Sequence, residues 1–273
     1  MRLGLEAGKD TLDLAVELGI RGVPVSAQAL VDGGVEATLA PLRARGLEVC
    51  QIGAFGYNPL NRDRERQAAQ AAMLERVIPL APETGCTYIV INGGNRHPSG
   101  FGGGDAYNYT DAALDEVAEA LGPLLALAEQ HGVKLTIEAY LKTAIYSAER
   151  FLALHARLGS DSLRCNVDVT SLYDYWDLWD PRSKVEQTCT GLAGHYGLGH
   201  LKEIALQEGF HIQAGLAPLG QGPTDWAQVL RLMAPHMPDD SWAVLEHVLS
   251  PEEARASVAL LRAAAAEVGV ALD

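Results

Sequence analysis

The sequence predicts a closed (β/α)8 TIM barrel, and three observations carry the prediction. Short apolar strand patterns alternate with amphipathic helix patterns eight times along the chain, as in folds built from parallel strands. The GxGxxG turn that opens a doubly wound dinucleotide-binding sheet does not follow the first strand, where only Glu6-Ala7-Gly8 stands. Several strand patterns also end on a charged or imidazole side chain, which in a barrel places chemistry at the C-terminal face.

The elements follow in order. Arg2 to Glu6 reads as a strand, and Asp10 to Leu18 as an amphipathic helix closed by Gly19. Gly22 to Val25 is the second strand, Val35 to Arg45 the second helix, and Leu47 to Ile52 the third strand. Arg62 to Glu83 predicts a long helix whose end Pro79 and Pro82 bend or shorten. Thr87 to Ile91 is strand four, and its unbroken apolar run predicts burial on both faces. Asn92 to Asp105 is glycine-rich, carries Asn95, Arg96 and His97, and is too long for a simple connector; a lid over the site is the reading it favours. The remaining alternation is helix Tyr109 to Gln130, strand Val133 to Glu138, helix Ser147 to Leu158 and strand Leu163 to Asp168. Helix Pro181 to Ala193, strand Leu198 to Lys202, helix Thr224 to Ala234, strand Ala243 to Glu246 and an alanine-rich helix Pro251 to Val268 complete it.

Length and composition agree with this. The 273 residues, 48% of them hydrophobic, suit one barrel-sized domain spanning residues 1–273. A net charge of -14 argues against a phosphate-backbone groove, so no nucleic-acid partner is expected. Cys50, Cys86, Cys165 and Cys189 form no metal-ligand spacing and predict free, mostly buried thiols in a reducing, cytoplasmic setting. The N-terminus lacks the apolar core of a signal peptide, and no apolar run reaches membrane-spanning length, so no membrane partner is expected.

Four strand ends present Glu138, Asp168, His200 and Glu246. Each alone reads equally well as a polar rim residue capping its strand. Together, three carboxylates and one imidazole converging in a barrel predict a single divalent cation, Mn2+ first, with Co2+, Mg2+ and Zn2+ as alternatives. Without that ion the site is expected to be strained, because three like charges would be crowded in a low-dielectric pocket.

Ile137-Glu138, Val167-Asp168, His200-Leu201-Lys202-Glu203, the run Gly220 to Trp226 and Leu245-Glu246 resemble the ordered motifs of the xylose isomerase-like barrel superfamily of sugar isomerases and epimerases. The resemblance spans most of the chain through motifs that are each short. It implies that Glu138, Asp168, His200 and Glu246 bind one metal, as the corresponding residues do in ketose 3-epimerases and inosose dehydratases. It also implies that Glu138 and Glu246 form the acid/base pair, moving a proton beside a ketose carbonyl while the metal stabilises the enediolate. Whether the outcome is epimerisation or isomerisation stays open. Many relatives carry a histidine three positions after the strand-six aspartate, where this chain has Ser171. That departure weighs against the apurinic endonucleases of the same superfamily, which use the histidine as a metal ligand.

The expected partner is a small sugar or cyclitol without a phosphate, since no glycine-rich phosphate cradle stands out. Lys202, Glu203, His211, Asn95 and His97 are candidate substrate contacts, because binding residues gather on loops at this face. For Lys202 and Glu203 a salt bridge between strands is the competing reading, and for the loop histidines simple solvent exposure. Glu6 reads more readily as a salt-bridged residue than as a lining one. The aromatic and acidic run Tyr173 to Asp180 suits sugar stacking, packing or a subunit interface, so a homo-oligomer is allowed. A sugar-binding barrel without catalysis is the remaining alternative.

Overall fold

A computed structural model describes Met1 to Asp273. Eight parallel strands close into a barrel: β1 (Arg2–Leu5), β2 (Gly22–Ser26), β3 (Glu48–Gly53), β4 (Tyr88–Asn92), β5 (Lys134–Glu138), β6 (Leu163–Val167), β7 (Tyr196–Leu201) and, after an inserted hairpin, β10 (Trp242–Leu245), which pairs back onto β1. The hairpin is antiparallel and consists of β8 (Glu203–Gln207) and β9 (Gln213–Ala217). Strand-to-strand register shifts by one residue at Val23/Pro24 and at Cys165/Asn166. The first shift falls at a proline, which has no N–H to give to the ladder.

Helices pack outside the strands: α1 (Thr11–Leu18), α2 (Ala27–Gly33), α3 (Val35–Arg43), α4 (Arg64–Val77), α5 (Asp111–Gln130), α6 (Ala148–Leu158), α7 (Arg182–Gly191), α8 (Trp226–Met233) and α9 (Pro251–Glu267). Side-chain caps start several of them: Asp63, Thr110, Ser147, Asp225 and Ser250 each accept a backbone N–H three residues on. The proline-bearing end of the predicted long helix becomes a 3-10 segment, Ile78–Thr84, as the two prolines require.

Two differences from the sequence reading concern element count. The stretch before Val35 also folds as a helix, α2, separated from α3 by Gly34 at φ 81°. A left-handed backbone at one glycine breaks an otherwise continuous helical pattern, and the pattern alone does not show the break. The segment after β7 is the hairpin β8–β9 rather than an irregular loop. Its alternation is blurred because Gln213 and Ala214 are exposed and Leu216 is itself 48% exposed.

The core is one continuous apolar cluster inside and around the barrel. β4 is buried along its whole length, as its unbroken apolar run predicts. All four cysteines are free and buried. No helix is long and apolar enough to cross a membrane.

Candidate active site

The register of the barrel brings the four strand-end residues together. Glu138 closes β5, Asp168 follows β6 and Glu246 follows β10. His200 sits within β7 and pairs with Val244 of β10. Because strand side chains alternate with period two, His200 and Lys202 point to the same side of β7. Ligand atoms of Glu138, Asp168, His200 and Glu246 all lie within 4.8 Å of one another, and all four residues are buried.

Lys202 occupies the middle of this group. Its Nζ lies 2.5 Å from Asp168 Oδ2, 2.8 Å from Glu246 Oε1 and 2.9 Å from Glu138 Oε1. The chain thereby offsets part of the crowding expected of an ion-free site: one buried ammonium bridges the three carboxylates, which still repel one another. Burial opposes ionisation of Glu138 and Glu246, but Lys202 and His200 outweigh it and hold both carboxyls below the usual carboxylate range. Burial likewise disfavours a charged His200, yet Glu246 and Glu138 raise its pKa to about 10.

Several neighbours hold these groups in place. Asp168 Oδ1 accepts hydrogen bonds from Thr170 N, Thr170 Oγ1 and Ser171 N, which turns the chain and leaves Oδ2 to face the site. Ser171 Oγ donates to Asp168 Oδ2 at 3.1 Å and approaches Glu138 Oε1 at 3.4 Å, so Ser171 joins the two carboxylates to each other. Gln51 on β3 faces His200 Nε2 through its Oε1 at 2.8 Å. With that oxygen as acceptor, Nε2 carries a hydrogen, and Nδ1 is the ring nitrogen that faces the carboxylates.

His200 Nδ1 is buried without a hydrogen-bond partner and stands 3.0 Å from Glu246 Oε2. Two electron-rich atoms that close need a proton or a cation between them. Three carboxylates and one such nitrogen form a donor set that suits a divalent ion, so the residues fit the metal that the motifs imply.

Glu138, Lys202 and Glu246 form the floor of an open cavity of about 860 Å³ at the C-terminal face of the barrel, with Asp168 and His200 buried behind them. Glu6, Phe55, Phe101, Tyr140, Tyr173 and His247 are among the residues around it. Glu6 forms no ion pair and lines the cavity, contrary to the salt bridge expected for it; burial first, then the charge of Glu246, raises its pKa. His247, beside Glu246, is the one non-glycine residue at positive φ, 57°, and its Nε2 lies 3.5 Å from Glu246 Oε1. A left-handed histidine next to a buried carboxylate is the kind of local strain that concentrates at functional sites.

The other candidate contacts fall elsewhere. Glu203 is buried, accepts from Thr224 Oγ1 at 2.6 Å and Trp226 Nε1 at 3.1 Å, and so ties the hairpin to the start of α8. Asn95 is fully buried: its Nδ2 donates to the carbonyls of Gly100 and Gly103, while its Oδ1 accepts from His97 N and Asn108 Nδ2. The glycine-rich loop is thereby a braced wall instead of a loose lid. His97 bonds to Ser99, and His211 lies exposed in the turn of the hairpin; neither lines the cavity.

Sequence reading missed Gln51, His247 and Phe101. Gln51 had a usable signal, a single amide within the otherwise apolar run Val49 to Ile52. His247 and Phe101 had none, since their positions depend on loop conformation.

Fold and site together define a barrel that gathers an acidic, imidazole-bearing cluster beneath an open cavity. The sequence pattern of the xylose isomerase-like TIM barrel family matches residues 12–264, and the chain belongs to that family. Comparison with curated protein sequences finds no match. Among solved structures, the chain resembles a xylose isomerase-like TIM barrel protein from Mycobacterium smegmatis in complex with magnesium, at 18% identity and a TM-score of 0.68, over 93% of this chain and 88% of that one. It also resembles D-psicose 3-epimerase from Clostridium cellulolyticum H10, at 13% identity and a TM-score of 0.70, over 97% and 99% of the two chains. A third similar structure is a probable 3-DHS dehydratase from Bacillus anthracis, at 17% identity and a TM-score of 0.69, over 96% and 99%.

Proposed function

We propose that the protein is a divalent-metal-dependent sugar isomerase or epimerase that moves a proton next to a ketose carbonyl. The observation that carries the reading is the convergence of Glu138, Asp168, His200 and Glu246 within 4.8 Å of one another, with Glu138 and Glu246 opening onto the cavity. Those four residues would hold the ion, and Mn2+, Co2+, Mg2+ or Zn2+ all tolerate such donors. When bound, the ion supplies Lewis-acid chemistry, drawing electron density from a carbonyl oxygen and so acidifying the neighbouring C–H.

Glu138 and Glu246 are the proton-transfer pair. In the ion-free site both are held ionised by Lys202 and His200. The ionised carboxylate of one removes the hydrogen beside the carbonyl, and the other, having first taken a proton from solvent, returns it; transfer by a positioned base is worth ~10²- to 10⁴-fold. Attack from opposite faces inverts the carbon, whereas one base serving two adjacent carbons moves the carbonyl. In the ion-free site Lys202 Nζ lies within 2.9 Å of both and holds the two carboxylates in place. The similarity to a probable dehydratase supports the same first step, since loss of water beside a carbonyl also begins with proton removal there.

The cluster has one imidazole among three carboxylates, and the chain is acidic, which supports a sugar rather than a phosphodiester backbone as substrate. The test is solvent exchange. In D2O with Mn2+, candidate ketoses should gain one deuterium beside the carbonyl, and Glu246→Gln should abolish this while leaving metal content and melting temperature near those of the parent. Absence of both bound metal and exchange across a ketose panel refutes the reading.

A further inference from the structure

We infer that the cavity is built for a keto-sugar that carries a second ring, a glycoside with a sugar or aryl group, in place of a free monosaccharide. The inference rests on the proton-transfer reading of the floor and names the substrate class that floor serves.

Volume is the first argument. A hexose has about twelve heavy atoms, and even at one water volume of roughly 30 Å³ for each it fills about 360 Å³. The cavity holds about 860 Å³, so more than half of it lies beyond a single sugar bound at the floor.

The chemistry of the walls is the second. The reacting ring has its own apolar neighbour at the bottom, Phe55, whose ring stands 6.3 Å from that of His200. Further out, Phe101 and Tyr140 pair at 5.9 Å, and Tyr109 and Tyr175 line the same cavity although 48% and 63% exposed. These outer rings come from the segments that follow β4, β5 and β6, so they stand on one side of the mouth. Aromatic faces hold ordered water poorly, because a water needs two or more polar partners, and they stack on the apolar face of a ring. An extra volume lined this way suits a second ring better than solvent.

The third argument is that the wall is pre-formed. Buried Asn95 ties Gly100 and Gly103, on either side of Phe101, through two hydrogen bonds of 2.7 Å. With both donors and its oxygen bonded, Asn95 fixes the segment around Phe101 without leaving a buried polar atom unpaired. A braced surface also binds without an ordering penalty.

Binding measurements test this without requiring turnover. The Mn2+-loaded protein is titrated calorimetrically with methyl β-D-glucopyranoside, phenyl β-D-glucopyranoside and cellobiose, which present no second ring, an aryl ring and a sugar ring. The two-ring probes should bind at least about tenfold more tightly than the methyl glycoside, a difference of about 1.4 kcal/mol. Tyr175→Ala and Phe101→Ala should remove that advantage and leave the methyl glycoside unchanged; Phe101→Leu, which keeps an apolar side chain, controls for loop damage and should retain part of it. Preference for phenyl identifies an aryl group, and preference for cellobiose a second sugar. Equal affinity for all three probes, no binding of any, or an equal loss for methyl and two-ring probes in the variants overturns the inference. Deuterium exchange into free ketoses with no second-ring preference leaves the proton-transfer reading intact and defeats this one; a second-ring preference without exchange does the reverse.

Discussion

At the residue scale, Lys202 and His200 decide how the site behaves in the absence of an ion. The Lys202 ammonium contacts all three carboxylates, so an incoming cation has to displace it toward the cavity. Lys202→Met should therefore lower the melting temperature of the metal-free protein, because it leaves buried carboxylates unpaired. The same change should tighten Mn2+ binding by about tenfold or more, within the usual range of coupling between two charges on one site. Calorimetric titration of the variant against the parent measures this, and an unchanged affinity means that Lys202 does not compete with the ion. His200 predicts a pH dependence. Its folded pKa is raised to about 10 from a reference of 6.5, so its contribution to stability is complete below about 6.5 and is lost as pH rises toward about 10. The melting temperature of the metal-free protein should fall across that window. With Mn2+ bound the slope should flatten, since Nδ1 then holds the ion and not a proton. A metal-free protein with no slope between these pH values contradicts the assignment.

At the element scale, the hairpin β8–β9 and the start of α8 meet at Glu203, which explains the motif Gly220-Gln221-Gly222-Pro223-Thr224-Asp225-Trp226. Thr224 and Trp226 donate to the two oxygens of Glu203. Gly222 lies so close that a Cβ there would come within 2.3 Å of the Ile204 carbonyl and 2.5 Å of the Glu203 carboxyl. Gly222→Ala should destabilise the protein by about 1–3 kcal/mol through this crowding, with the loss visible in chemical denaturation. Divalent-ion affinity should change little, because Glu203 is not part of the cluster. A variant as stable as the parent shows that the hairpin yields more easily than its packing implies.

At the scale of the whole molecule, closure of the barrel makes the site a point of linkage between binding and stability. The four donors come from β5, β6, β7 and β10, so an ion shared among them ties half of the barrel wall together. Chelation should lower the melting temperature and added Mn2+ should restore it; at a free ion concentration one hundred times Kd the gain is about 2.7 kcal/mol. Since Lys202 already neutralises part of the charge, the metal-free protein should stay folded and simply melt earlier. A melting temperature indifferent to both chelator and Mn2+ argues that these donors share no ion.

The sequence by itself determined the architecture and the four converging residues. Period-two and helical patterns are local, each helix and strand buries one stripe or face, and a parallel barrel has one end at which strand-terminal side chains meet. Glu138, Asp168 and Glu246 were legible because a carboxylate that terminates an apolar strand is chemically conspicuous, and His200 because its motif ordered it among them. Tertiary structure alone decided what surrounds them. Lys202 became the central cation because alternation along β7 turns it to the same side as His200, and only the closed barrel brings three acids around that side. Asn95 and Glu203 became structural braces, since what a polar side chain bonds depends on partners distant in the chain, Gly103 and Asn108 for one, Thr224 and Trp226 for the other. The aromatic wall of the cavity, from Phe101 to Tyr175, has no periodicity to reveal it. It is assembled from three successive loops, and loop geometry is set by long-range packing rather than by local pattern.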